Sequence, residues 1–183
     1  GGWVVMDEAY QPFSSRSWLD EIRRDPAANA QVLLMRTLSK FGLAGIRLGY
    51  MVGPTALVHE VDKLRPPYNV SVLNAECALF ALEHTEVFAQ QAATIRAERE
   101  KLFNALQQLP GVTPYASEAN MMVLRFTGDA DAAHRAFEVL KAHKVLVKNV
   151  SKMHPLLANC LRLTVGTPDE NAQLLAALTS ALS

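Results

Sequence analysis

At 183 residues the chain is long enough for one or two domains with real cores, and its 50% hydrophobic and 20% charged residues are an ordinary globular balance. Basic and acidic side chains number 18 each and the pI is near 7.1, which argues against a nucleic-acid binder and against a patch for an acidic membrane surface. Cys77 and Cys160 lie far apart, with no C-x-x-C and no ligand-spaced histidines, so both are expected as reduced, buried thiols and no metal site is expected.

No apolar run reaches the length of a bilayer span and no charged-then-apolar leader opens the sequence, so a soluble, cytoplasmic protein is expected. Trp3, Val4, Val5 and Met6 form a strand-like apolar run almost at the first residue. Such a strand normally lies mid-sheet with a neighbour on each side, so the sequence reads as a fragment. Trp18–Arg24 is predicted as a helix with Ser17 as its N-cap and Pro26 beyond its end. Residues 32–35 and 48–52 are predicted as strands. Unbroken apolar strands alternating with helices indicate an α/β layer with a mostly parallel sheet. Pro54 and Thr55 open a helix to about Leu64, halted by Arg65-Pro66-Pro67.

After that break the pattern becomes helical, over residues 74–83 and then about 86–109. In the longer segment Phe88, Ala92, Ile95, Leu102, Phe103, Leu106 and Leu109 recur at helical spacing, the mark of a face turned to a core. Pro110-Gly111 ends it. The remainder reads as a small α+β unit. Met121–Phe126 is a strand with Met122, Leu124 and Phe126 on one face and Arg125 opposite. Asp129 opens a helix to Ala142, and residues 145–147 and 160–165 are short strands. The last helix has Thr167 as N-cap, Pro168 at N1 and Glu170 at N3, a capping box. The expected division is residues 1–84, part of a larger α/β domain, and 85–183, a connecting helix with the small domain.

Chemistry concentrates between residues 4 and 47. Val4-Val5-Met6-Asp7-Glu8-Ala9-Tyr10 puts an acid just past the end of one strand, and Thr37-Leu38-Ser39-Lys40 puts a lysine just past another. Ligands of open α/β sheets bind outside the carboxyl ends of strands, so Asp7 and Lys40 are expected at one crevice. Alone, the two would be explained as well by a structural ion pair.

The phrase Ser39-Lys40-Phe41-Gly42-Leu43-Ala44-Gly45-Ile46-Arg47-Leu48-Gly49-Tyr50 is far more specific. It resembles the S-K-x-x-G-L-x-G-x-R-x-G-Y signature of fold-type I pyridoxal-phosphate (PLP) aminotransferases, and Asp7-Glu8-Ala9-Tyr10 is similar to that family's D-E-A-Y. Arg65-Pro66-Pro67-Tyr68-Asn69-Val70 and the run from Cys160 to Thr167 narrow the resemblance to histidinol-phosphate aminotransferases. It covers essentially the whole chain, but only about the C-terminal half of a family member. The lysine-to-arginine spacing here is one residue shorter than the commonest family form.

The resemblance implies Lys40 as the residue that anchors PLP and shuttles a proton, Asp7 as the partner of the pyridine nitrogen, and Tyr10 as a donor to the phenolate oxygen. It implies Thr37, Ser39 and Arg47 as the phosphate holders. Arg162 matches the arginine that grips the substrate, a planar guanidinium suited to the carboxylate of glutamate and the phosphate of histidinol phosphate alike. Lys148 falls near a second basic position, though a surface lysine reads equally well there. Tyr68 and Asn69 would shape the substrate loop, or form a plain Pro-rich turn. The family's glycine-containing phosphate turn, its ring-stacking aromatic, its asparagine beside the phenolate oxygen and the tyrosine lent by a dimer partner have no counterpart here.

The implied activity is reversible transamination between imidazole-acetol phosphate and glutamate in histidine biosynthesis, by a homodimer. The alternatives are another enzyme of the same fold, a threonine-phosphate decarboxylase or an aromatic aminotransferase, or a non-catalytic aminotransferase-like binding domain.

Overall fold

Val4–Asp7 forms strand β1 and runs parallel to β2, Val32–Thr37, with Asp7 paired to Met35. In the computed structural model, which describes residues 2–182, the helix between them is α1, Trp18–Arg24. Its start matches the sequence expectation, for Ser17 Oγ accepts a hydrogen bond from the Leu19 amide at 3.0 Å. Asp20 and Glu21 in its first turn and Arg23 and Arg24 in its last complement the helix dipole. Strand β3, Gly49–Val52, lies on the other side of β2 and is antiparallel to it. The expected mostly parallel sheet therefore holds for one of its two pairings. The connection over residues 38–48 is too short for the crossover of roughly a dozen or more residues that a parallel partner requires.

The chain divides into two compact units, one ending at Ala92 and the other beginning at Ala93. The first is α/β. It carries the β1-β2-β3 sheet, then α2, Thr55–Asp62, α3, Val72–Glu83, and the opening turns of α4, Thr85–Gln107. Val32, Leu33 and Leu34 on the central strand are buried, as an unbroken apolar run predicts. β1 behaves differently: it is an edge strand, and Val4 and Val5 are exposed. Cys77 on α3 is exposed as well, against the expectation of a buried thiol, because α3 buries only Ala78 and Ala81; Cys160 is buried as expected.

The second unit is a four-stranded antiparallel sheet in the order β4-β5-β7-β6. Its strands are Val112–Pro114, Met121–Phe126, Cys160–Thr164 for β7 and Lys148–Asn149 for β6. Met122, Leu124 and Phe126 from β5 and Leu161 and Leu163 from β7 pack with Leu102 and Leu106 of α4, Leu140 of α5 (Ala132–Ala142) and Leu178 of α6 (Pro168–Leu182). Each such side chain contributes about 1.5–3 kcal/mol relative to leaving it in water. The capping box at α6 is made in both directions, Thr167 N to Glu170 Oε2 at 2.8 Å and Glu170 N to Thr167 Oγ1 at 3.3 Å.

Two expectations need correction here. Residues 145–147 are not a strand. Helix α5 closes with Lys144 in the left-handed region, φ 61°, and the Val145 amide reaching back to Leu140 O at 2.9 Å, so the apolar run is used in leaving the helix and only Lys148–Asn149 pairs with β7. Asp129 is also not the residue next to α5. Asp131 stands there, while Asp129 accepts from the Asp131 amide and pairs with Arg135. Arg135 holds the Asp129 carboxyl below its ordinary range.

Candidate active site

The register of the first sheet decides which side chains meet. Asp7 is paired with Met35, and Thr37 with Gly49, so Asp7 and Thr37 share one sheet face; the next residues along, Glu8 and Arg36, share the other with Tyr50. Asp7 is exposed at the strand end. Its Oδ1 accepts from the Ala9 amide at 2.9 Å, which bends the chain toward Tyr10 and leaves Oδ2 without a hydrogen bond among the described residues.

Lys40 follows β2 in a helical turn, Ser39–Leu43, that breaks at Gly42 (φ 96°). A side chain at Gly42 would be strained by that φ and would meet the Phe88 ring at 3.2 Å, so the turn presenting Lys40 depends on glycine. Lys40 Nζ stands 5.2 Å from the centre of the Tyr10 ring, which joins the two strand ends in space. The Thr37 hydroxyl donates to Leu48 O at 3.3 Å and accepts from the Ser39 amide at 3.0 Å, closing the loop on itself. Arg47 takes the left-handed conformation, φ 51°, and points Nη1 to within 3.5 Å of Ser39 Oγ. Two hydroxyls and a guanidinium thus gather beside the lysine, a donor set suited to a phosphate.

Beneath this loop pair lies a constellation that motif reading missed. Glu8 Oε2 accepts from Arg36 Nη2 at 2.8 Å, from Arg36 Nε at 3.1 Å and from the Ser17 hydroxyl at 3.1 Å, and Oε1 accepts from the Trp18 amide. Burial opposes the charge on Arg36, yet hydrogen bonds to Tyr50 and Glu8 outweigh it and hold its pKa above the ordinary value. The only sequence signal is two opposite charges at equivalent places on neighbouring strands, legible once the register is known.

In the second unit, Lys148 and Arg162 stand directly opposite each other on β6 and β7, with Val123 on the far side of Arg162. Side chains so placed have Cβ atoms roughly 5 Å apart, and like charges there repel. Arg162 Nε is buried without a hydrogen-bond partner among the described residues, an arrangement that an anion would relieve. Arg125 shares that face and is engaged with Leu156 O and Cys160 Sγ. Tyr68 and Asn69 fall in the loop before α3; Tyr68 is 99% exposed with φ 59°, and Asn69 accepts from Arg65 at 3.4 Å. No hydrogen bond joins either to the Lys40 loop among the described residues.

A groove of about 710 Å³ in the first unit is lined by Met35, Tyr50, Val58 and Leu64 among others, and by neither Asp7 nor Lys40. Among the described residues no three His, Cys, Asp or Glu side chains are placed to hold a metal, and no helix is long and apolar enough to cross a membrane.

This chain is similar to known proteins along its length. It is 66% identical over 183 residues to the histidinol-phosphate aminotransferase of Paracidovorax citrulli, covering 100% of this chain and 48% of that protein. The structure of histidinol-phosphate aminotransferase from Sinorhizobium meliloti in complex with pyridoxal-5'-phosphate superimposes with a TM-score of 0.80 at 25% identity, over 98% of this chain and 48% of that one. L-threonine-O-3-phosphate decarboxylase from Porphyromonas gingivalis shares the fold, with a TM-score of 0.81 at 23% identity over 96% of this chain and 54% of that one. The chain spans about half the length of the curated relatives it matches. Residues 1–178 match the family described as aminotransferase class I and II, and the chain belongs to that family.

Proposed function

We propose that the chain is the C-terminal half of a cytoplasmic, homodimeric histidinol-phosphate aminotransferase and carries its PLP-anchoring lysine. The observation that carries this reading is the 66% identity, along the whole chain, with a protein of that name. The local geometry fits PLP. A pyridine nitrogen needs a carboxylate with a free oxygen, and Asp7 Oδ2 is open. A phosphate needs hydroxyls and a guanidinium, and Thr37, Ser39 and Arg47 already cluster.

Bound there, PLP supplies an aldehyde that an amine can take and a ring that draws electrons from the substrate Cα. Lys40 Nζ would hold the cofactor and is the amine placed to move the proton at the substrate Cα. Asp7 would keep the ring nitrogen protonated, and the Tyr10 hydroxyl would donate to the cofactor's phenolate oxygen. Arg162, with Lys148 beside it, takes the carboxylate of glutamate or the phosphate of histidinol phosphate, and Tyr68 and Asn69 shape the substrate loop.

The test is an absorbance scan of the chain with added PLP, before and after borohydride, beside Lys40→Ala. A visible band that borohydride fixes on Lys40 and that the variant lacks supports the reading; a band unchanged in Lys40→Ala overturns the assignment of the lysine. Activity is measured on the full-length protein with glutamate and imidazole-acetol phosphate. Release of carbon dioxide from an amino-acid phosphate, with no transamination, would favour the decarboxylase instead.

A further inference from the structure

We infer that Glu8 and Arg36 form a clamp that sets the position of Asp7 and Tyr10 relative to Lys40, which makes both of them positioning residues for the site proposed above and rests on that reading. The two lie on the sheet face opposite Asp7 and Thr37, so neither reaches the cofactor side. Each is adjacent in sequence to a residue that does: Glu8 follows Asp7, and Arg36 precedes Thr37. Their side chains are only 11% and 16% exposed, both bonds from Arg36 to Glu8 end on one carboxylate oxygen, and Arg36 Nη2 also donates to Ser17 Oγ at 2.7 Å.

Glu8 also ties in α1, through the Ser17 hydroxyl and the Trp18 amide. Its own amide continues the β1–β2 ladder by one rung, to Met35 O at 2.8 Å. One carboxylate therefore fixes where the first loop leaves the sheet and, through Arg36, where the second leaves it. With the charge removed, the remaining partner is a half-buried ion with no counter-charge, and the two strand ends are free to shift separately.

The experiment is amide hydrogen exchange, read residue by residue, on the chain and on Glu8→Gln, Arg36→Met and the double variant. Both singles should speed exchange tenfold or more at Ala9 and Gln11 in the first loop and at Leu38 and Ser39 in the second, with β5 and β7 unchanged. The double variant should be no worse than either single, as for two halves of one device. Acceleration confined to residues 8–19, or single effects that add in the double, would overturn the clamp. Should Glu8→Gln lose protection throughout the first sheet, Glu8→Asp, which keeps the charge and shortens the reach, is read by the same criterion.

A second arm titrates PLP. In Glu8→Gln the dissociation constant should rise about tenfold, while borohydride at saturation still fixes the cofactor on Lys40. Unaltered affinity despite faster exchange would leave the pair a structural tie and overturn the positioning role. A wild-type chain that takes no PLP would tell against cofactor binding by this chain, and the exchange pattern would decide the clamp by itself.

Discussion

The two units of this chain bury apolar surface very differently. In the second, alternate residues of β5 and β7 vanish into one core, with Leu124 and Leu163 fully buried. In the first, Trp3 and the β1 residues Val4 and Val5 face solvent, and α3, rich in apolar residues, leaves Val72, Leu73, Leu79 and Phe80 exposed. Large exposed apolar surface ordinarily marks a place that something covers. The second unit therefore encodes a complete core, whereas the first encodes more apolar surface than it buries itself. The residues proposed to hold PLP belong to the first.

The largest expected effect separates the two at the level of stability. Leu163→Ala removes a fully buried side chain from the β7 centre and should cost about 2–5 kcal/mol. Denaturant unfolding followed by exchange should place that loss on the amides of β5, β7, α5 and α6. An equal loss on β1–β3 would break the comparison, because it would mean that the units unfold as one.

The same contrast explains how much was legible in the sequence. Several local signals were legible where one element's own residues decide the outcome: the Ser17 cap, the limits of α1 and β5, the capping box of Thr167 and Glu170, and Lys40 just past the end of β2, whereas Asp7, expected just past a strand, is the last residue of β1. Beside the local misses at Asp129 and at residues 145–147, what escaped was long-range. Glu8 and Arg36 meet because β1 and β2 run parallel in one register, and no spacing in the sequence expresses that. Strand β4 was not anticipated, because it is three residues long and ends on Pro114. The exposure of β1 and α3 was hidden for a related reason: an apolar pattern says a surface is to be covered, without saying by what.

A polar network offers a second, smaller comparison. Asn171 is buried; its Nδ2 donates to Gly166 O at 3.1 Å and to Glu98 Oε2 at 3.2 Å, while its Oδ1 accepts from the Gly166 amide at 3.0 Å. It ties the start of α6 to α4, as Glu8 ties α1 to the first sheet. Asn171→Ala should cost about 1–3 kcal/mol, measured by thermal unfolding, since buried polar groups lose partners. A neutral result would mean that water reaches Gly166.

Acid should weaken the second unit through its capping box. Hydrogen bonds from the Thr167 amide and hydroxyl hold the Glu170 carboxyl below its ordinary range. A folded pKa below the unfolded one means the stabilisation is fully present above the unfolded value, about 4.3, and is lost as pH falls through the folded value. Wild type should therefore exceed Glu170→Gln in melting temperature at neutral pH and converge with it in acid. A gap that persists at low pH would show that the variant acts through shape and not charge.

The smallest effect is expected where the comparison is sharpest. Leu79 and Phe80 on α3 are large apolar side chains of the kind that the second unit buries, yet they are more than half exposed. If burial and not residue type sets the contribution, Leu79→Ser and Phe80→Ser should each change the unfolding free energy of this chain by no more than about 0.5 kcal/mol, an order below Leu163→Ala. Serine also lowers helix propensity slightly, by a few tenths of a kcal/mol, so a small loss is within the expectation. A loss of 2 kcal/mol or more at either position, read by denaturant midpoint at constant m, would mean that α3 is packed in solution. The first unit would then be as self-contained as the second, and the contrast between them would fall.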